Sequence, residues 1–103
     1  MNKKELEKER VEAFDDWLDW WNEESNAFKD IEEQIKKRNL EGYTDIEIEI
    51  EYTEGQPYIR LESNLFIERL KKRFQGFSIS KTYISSTEDY RHNIGMKLRM
   101  SWD

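Results

Sequence analysis

Along residues 45–52 isoleucine and acid alternate, as Asp45-Ile46-Glu47-Ile48-Glu49-Ile50-Glu51-Tyr52. A period of two sends successive side chains to opposite faces of a strand, so one face is apolar and the other is a row of carboxylates. Upstream the period changes. Over residues 3–39 Phe14, Trp17, Trp21, Phe28, Ile31 and Ile35 fall on a three-four repeat, with Glu24 at the one polar step and no Gly or Pro in the stretch. That spacing predicts a helix with one apolar stripe, widened around residues 17–21 by Leu18 and Trp20 on either side of it. At 1.5 Å per residue such a helix would run roughly 50 Å, against roughly 20 Å for an ordinary strand. One small sheet cannot cover it. Either it breaks near residues 22–26, where Asn and Ser are weak helix formers, or its first half projects and meets something else.

Gly42 suits the end of this helix, because glycine tolerates the positive φ of a helix-terminating turn. A strand over 44–53 follows, then the turn Glu54-Gly55-Gln56-Pro57 and a shorter alternation, Tyr58-Ile59-Arg60-Leu61-Glu62, which together predict a hairpin. Ser63 or Asn64 can cap a second helix over 65–75 that buries Leu65, Phe66, Leu70 and Phe74. Arg69, Lys71, Lys72 and Arg73 crowd its last turns, where cations complement the helix dipole, and Gly76 closes it. A strand over 77–84, a polar loop over 85–93 and a strand over 94–102 complete the chain. The fold class expected is α+β, in the order α-β-β-α-β-β. A long N-terminal helix and a second helix lie on one face of a mostly antiparallel four-stranded sheet. Ile46, Ile48, Ile50, Ile59, Leu61, Phe77, Ile79, Met96, Leu98 and Met100 are the expected inward residues. Residues 1–103 read as a single domain, with a helical segment over 1–39 and a hairpin-helix-hairpin core over 44–102.

Composition changes this picture only a little. Charged residues make up 39% of the chain and hydrophobic ones 36%, a balance that would suggest disorder were the apolar residues scattered. They are clustered, and 4 Trp, 5 Tyr and 5 Phe bury large areas each. No apolar run approaches the roughly 20 residues of a membrane helix, and the first residues lead into a charged helix rather than a signal core. With no cysteine, disulfides and thiolate metal sites are excluded, and a cytoplasmic protein without cofactor or bound metal is expected.

Charge changes it more. The net charge of −6 divides into −10 over residues 1–56 and +4 over residues 57–103. Catalysis finds little support: His92 is the single histidine, in the loop Glu88-Asp89-Tyr90-Arg91-His92, and no phosphate loop or nucleophile motif is present. No enzyme is expected. The acidic strand face has a plain structural account, in which Lys97 and Arg99 of the closing strand lie opposite Glu47, Glu49 and Glu51.

The segment Leu70-Lys71-Lys72-Arg73-Phe74-Gln75-Gly76-Phe77-Ser78-Ile79-Ser80, with the ending Leu98-Arg99-Met100-Ser101-Trp102, resembles small acidic proteins encoded by bacteriophages and other mobile elements. The likeness covers about the last third of the chain. Some such proteins inhibit host defence enzymes, anti-CRISPR proteins among them, so the resemblance implies a stoichiometric inhibitor; it carries over no site residue. The residues themselves favour a non-enzymatic protein-binding module. Acid and aromatic interleave on the first helix, and such a surface complements a basic cleft that receives nucleic acid. The candidate partner-binding residues are Asp15, Asp16, Trp17, Asp19, Trp20, Glu23 and Glu24, followed by Glu47, Glu49 and Glu51. One alternative is a homodimer or larger assembly that uses the same helix on itself. Another is direct nucleic-acid binding through Arg69, Lys71, Lys72, Arg73, Lys81, Arg91, Lys97 and Arg99, against which the net charge acts.

Overall fold

The structure is a computed structural model, and it describes residues 1–52, 60–85 and 93–103. The chain forms two compact units, Met1–Gln34 and Ile35–Asp103. Their boundary falls within a helix, between Gln34 and Ile35.

In the first unit, α1 (Lys3–Ser25) opens on a reciprocal cap. The Asn2 side-chain oxygen accepts from the Glu5 amide at 2.9 Å, while its Nδ2 donates to the Glu5 carboxylate at 3.2 Å. Through residue 10 every side chain is exposed, and the helix is held there by its cap and by pairs such as Lys3–Glu7 and Lys8–Glu12, both at 3.9 Å. Of the two alternatives, the break near residues 22–26 is the one found. Asn26 takes the left-handed conformation (φ 55°), donates its N–H to Asn22 O at 2.7 Å and accepts from the Asp30 amide at 3.1 Å. It thus ends α1 and begins α2 (Ala27–Leu40), while the Asn22 side chain caps the new helix by accepting from the Phe28 amide at 2.9 Å. Asparagine is the residue other than glycine best suited to that conformation. The buried stripe is a chain of rings: Phe14 to Trp17 at 6.0 Å, Trp17 stacked on Trp21 at 6.0 Å, and Trp21 edge-on to Phe28 at 6.2 Å. Each such pair adds about 0.5–1.5 kcal/mol to the area buried.

In the second unit, the end of α2 closes with Gly42 at φ 94°. The Gly42 amide donates to Asn39 O at 3.1 Å and the Tyr43 amide to Arg38 O at 3.0 Å, the paired bonds of a glycine-terminated helix. Then come β1 (Asp45–Glu51), α3 (Asn64–Arg73), β2 (Ser78–Ser85) and β3 (Asn93–Ser101). The sheet runs β1-β3-β2, antiparallel throughout. Ile46, Ile48, Ile79, Met96, Leu98 and Met100 are buried on one face, and α3 packs against β2 with Phe66 and Leu70 inside.

The fold class is α+β, but the sheet has three strands among the described residues where four were expected. Arg60, Leu61 and Glu62 form a turn into α3, with the Ser63 amide bonded to Arg60 O at 3.2 Å; Tyr58 and Ile59 lie outside the described residues. Leu61 is buried as expected, from a turn rather than a strand. A five-residue alternation directly before a helix cap is too short to distinguish the two. The hairpin expected for β1 is also replaced, since its partner among the described residues is β3. Gly95 makes that pairing possible, because a Cβ there would lie 2.7 Å from Ile50 O.

Candidate interaction surface

The two acidic rows differ in what surrounds them. On β1 the register places Glu47 opposite Arg99, Glu49 opposite Lys97, and Glu51 opposite Gly95. Lys97 Nζ lies 3.7 Å from Glu49, and Arg99 reaches diagonally to Asp45 at 3.1 Å. Arg38 adds a second cation at Asp45, 3.6 Å from its carboxylate, while its Nε donates to Asp45 O at 3.1 Å and its guanidinium lies 3.9 Å from the Tyr43 ring centre. Ser78, Ser80 and Thr82 of β2 flank β3 on its other side, so the polar face reads as acid, base and hydroxyl columns. The internal account of this face therefore holds for Asp45 and Glu49. Glu47 and Glu51 carry no ion pair among the described residues, although Glu47 faces Arg99 directly.

On α1 the exposed acids Asp16, Asp19, Glu23 and Glu24 meet no such match among the described residues. Asp16, Asp19, Glu23 and Glu24 are exposed and Asp15 is half-buried. The eighteen residues between Arg10 and Lys29 hold six carboxylates and no cation. Trp20 is 48% exposed among them, whereas Trp17, also a candidate contact, is 7% exposed and belongs to the ring chain of the core. The reason is angular: Trp17 shares the face of Phe14 and Trp21, while Trp20 is displaced from it by one 100° step.

The cations named for nucleic-acid binding are partly engaged. Lys81 donates to Glu62 O at 2.6 Å, and Lys97 and Arg99 serve β1. Lys71 and Lys72 are exposed on α3, and Arg91 lies outside the described residues, as does His92. Among the described residues no group of His, Cys, Asp and Glu is placed to hold a metal ion, and no helix is long and apolar enough to cross a membrane.

One constellation was not visible in the sequence. The Glu62 carboxylate accepts from Tyr52 Oη at 2.8 Å and from Asn93 Nδ2 at 3.0 Å, joining the end of β1, the turn before α3 and the start of β3. Burial, then the Glu62 hydrogen bond, push the Tyr52 hydroxyl well above the usual tyrosine range, which keeps it a donor. No spacing signals this group, because the pairing of β1 with β3 and the turn before α3 bring its members together from distant parts of the chain. No protein-family model, curated protein or solved structure matches the chain.

Proposed function

We propose that the protein is a non-enzymatic binding module whose α1 face covers a basic surface of a protein partner, in the place a nucleic-acid backbone would take. Such a module acts as an inhibitor by occupying that surface. The observation that supports the reading is Trp20, half exposed in an eighteen-residue stretch with six carboxylates and no cation. An aromatic ring supplies contact area at low entropic cost, and the surrounding acids steer a cationic surface onto it. Glu49 leaves this site, because its charge is met within the sheet.

The test is affinity capture from an extract of the source cells, with the wild-type chain and an Asp16→Lys, Asp19→Lys, Glu23→Lys variant as baits. A partner held by the wild type, released between about 0.1 and about 0.5 M salt and absent from the variant supports the proposal. The variant must keep the wild-type circular dichroism and melting temperature. A partner retained equally by the variant overturns it.

A further inference from the structure

The exposed side of α1 is patterned as well as acidic. Leu6, Glu9, Ala13, Asp16, Trp20 and Glu23 follow one another at three and four residues in strict alternation, and all six are exposed. They form a second seam about a third of the way round the helix from the buried one, over roughly 26 Å of its length. Apolar residues occupy one position of each heptad and carboxylates the other. Leu6 and Trp20 are 49% and 48% exposed, with Ala13 between them as a notch. The carboxylates of Glu9, Asp16 and Glu23 enter no ion pair or side-chain hydrogen bond among the described residues.

A ladder that repeats every seven residues drifts around a straight helix, and it keeps facing only a partner that winds around it left-handedly. That partner is a helix. We infer that α1 is one half of a two-helix seam, and that its occupant is a basic amphipathic helix with apolar and cationic residues alternating along its own seam. This rests on the proposed binding of a basic partner and names the element recognised. Charge argues against a second copy. Parallel pairing would set Glu9, Asp16 and Glu23 each against its equivalent, and antiparallel pairing of the same seam would seat each acid on an apolar residue of the other copy, Asp16 on Ala13 and Glu9 on Trp20, where a carboxylate loses water without gaining a cation. Lysine or arginine at those positions converts the repulsion into attraction, and a large apolar side chain fills the Ala13 notch.

The test titrates three probes into the full chain by calorimetry. One is a helical peptide of about 21 residues with leucine and lysine alternating on a heptad seam. The second has the same composition in scrambled order, and the third is poly-lysine of equal charge. The seam peptide is expected to bind at least about tenfold more tightly than either control. Trp20→Ala should weaken it about tenfold and Ala13→Gln at least about fivefold, while both leave poly-lysine binding within about twofold. Both positions are exposed, and unchanged circular dichroism verifies the fold. Equal affinity for the three probes overturns the inference and leaves the charge-based reading standing, whereas no binding by any of them overturns both. A dimer of the chain alone that Trp20→Ala abolishes also overturns it, by placing a second copy on the seam.

Discussion

The acidic rows of α1 and β1 have similar composition and opposite surroundings. β1 lies beside β3, whose Lys97 and Arg99 stand at the register of its carboxylates, so part of its charge is met by the sheet that holds it. On α1 a neighbour three or four residues away decides whether an exposed acid has a cation, and Asp16, Asp19 and Glu23 have none at that spacing. An acidic row is therefore informative about a partner only once its own neighbours are known. Exposed cross-strand pairs of this kind contribute about 0.2–1 kcal/mol each, enough to set register and too little to carry the fold.

The comparison can be broken at its base by removing the pairing that matches β1 to β3. Leu98 is fully buried between the two pairs, and Leu98→Ala should cost about 2–5 kcal/mol, read as a lower urea midpoint. Gly95→Ala should cost about 1–3 kcal/mol, because the new Cβ meets the Ile50 carbonyl and the end of β1 must move away. A stability unchanged within error for Gly95→Ala would mean that the strands are not in this register.

A smaller effect concerns the polar anchor of the same strand. Tyr52→Phe should cost about 1 kcal/mol at neutral pH by removing the bond to Glu62. The tyrosine pKa is raised on folding, so the unfolded chain releases this proton first, and the stability it contributes is full below about pH 10 and falls as pH rises beyond it. The variant should therefore show a shallower alkaline loss of stability than the wild type in denaturant titrations at pH 9 to about 11.5.

The smallest effects sharpen the contrast itself. Glu49→Lys places like charges opposite each other and should cost about 0.5–1 kcal/mol, a penalty that shrinks in high salt. Asp19→Lys introduces the first cation among six acids and should be neutral or stabilising by a few tenths, about 0.3 kcal/mol. Equal penalties for the two reversals would mean that both rows are matched internally, and the argument for a partner at α1 would fail.

The alternations of β1 and β3 were legible because a period of two over seven or more residues excludes a helix. The stripe of Phe14, Trp17, Trp21, Phe28 and Ile31 was legible for the corresponding reason, and each of these residues is buried. Asn and Ser at 22–26 marked where the helix could break without deciding that it does, and the double role of Asn26 as end and start is not visible in them. Arg60, Leu61 and Glu62 form a turn where the alternation predicts a strand, since Leu61 can enter the core equally well from a turn. At the candidate surface the acids of α1 are evident, and the three-four spacing sets Trp17 on the stripe and Trp20 beside it, whereas the significance of Leu6, Glu9 and Ala13 depends on their exposure, which only the structure shows.

By itself the sequence determined which residues alternate, where the helices are capped and how charge is distributed along the chain, because these depend on neighbours a few residues apart. Only the tertiary structure decided which strand stands beside which, and hence that Asp45 and Glu49 find cations on β3, while among the described residues Asp16, Asp19 and Glu23 find none. Strand pairing joins residues some fifty positions apart, as between Glu49 and Lys97. Local periodicity carries no record of that choice, since any basic strand of matching length would have satisfied the same alternation.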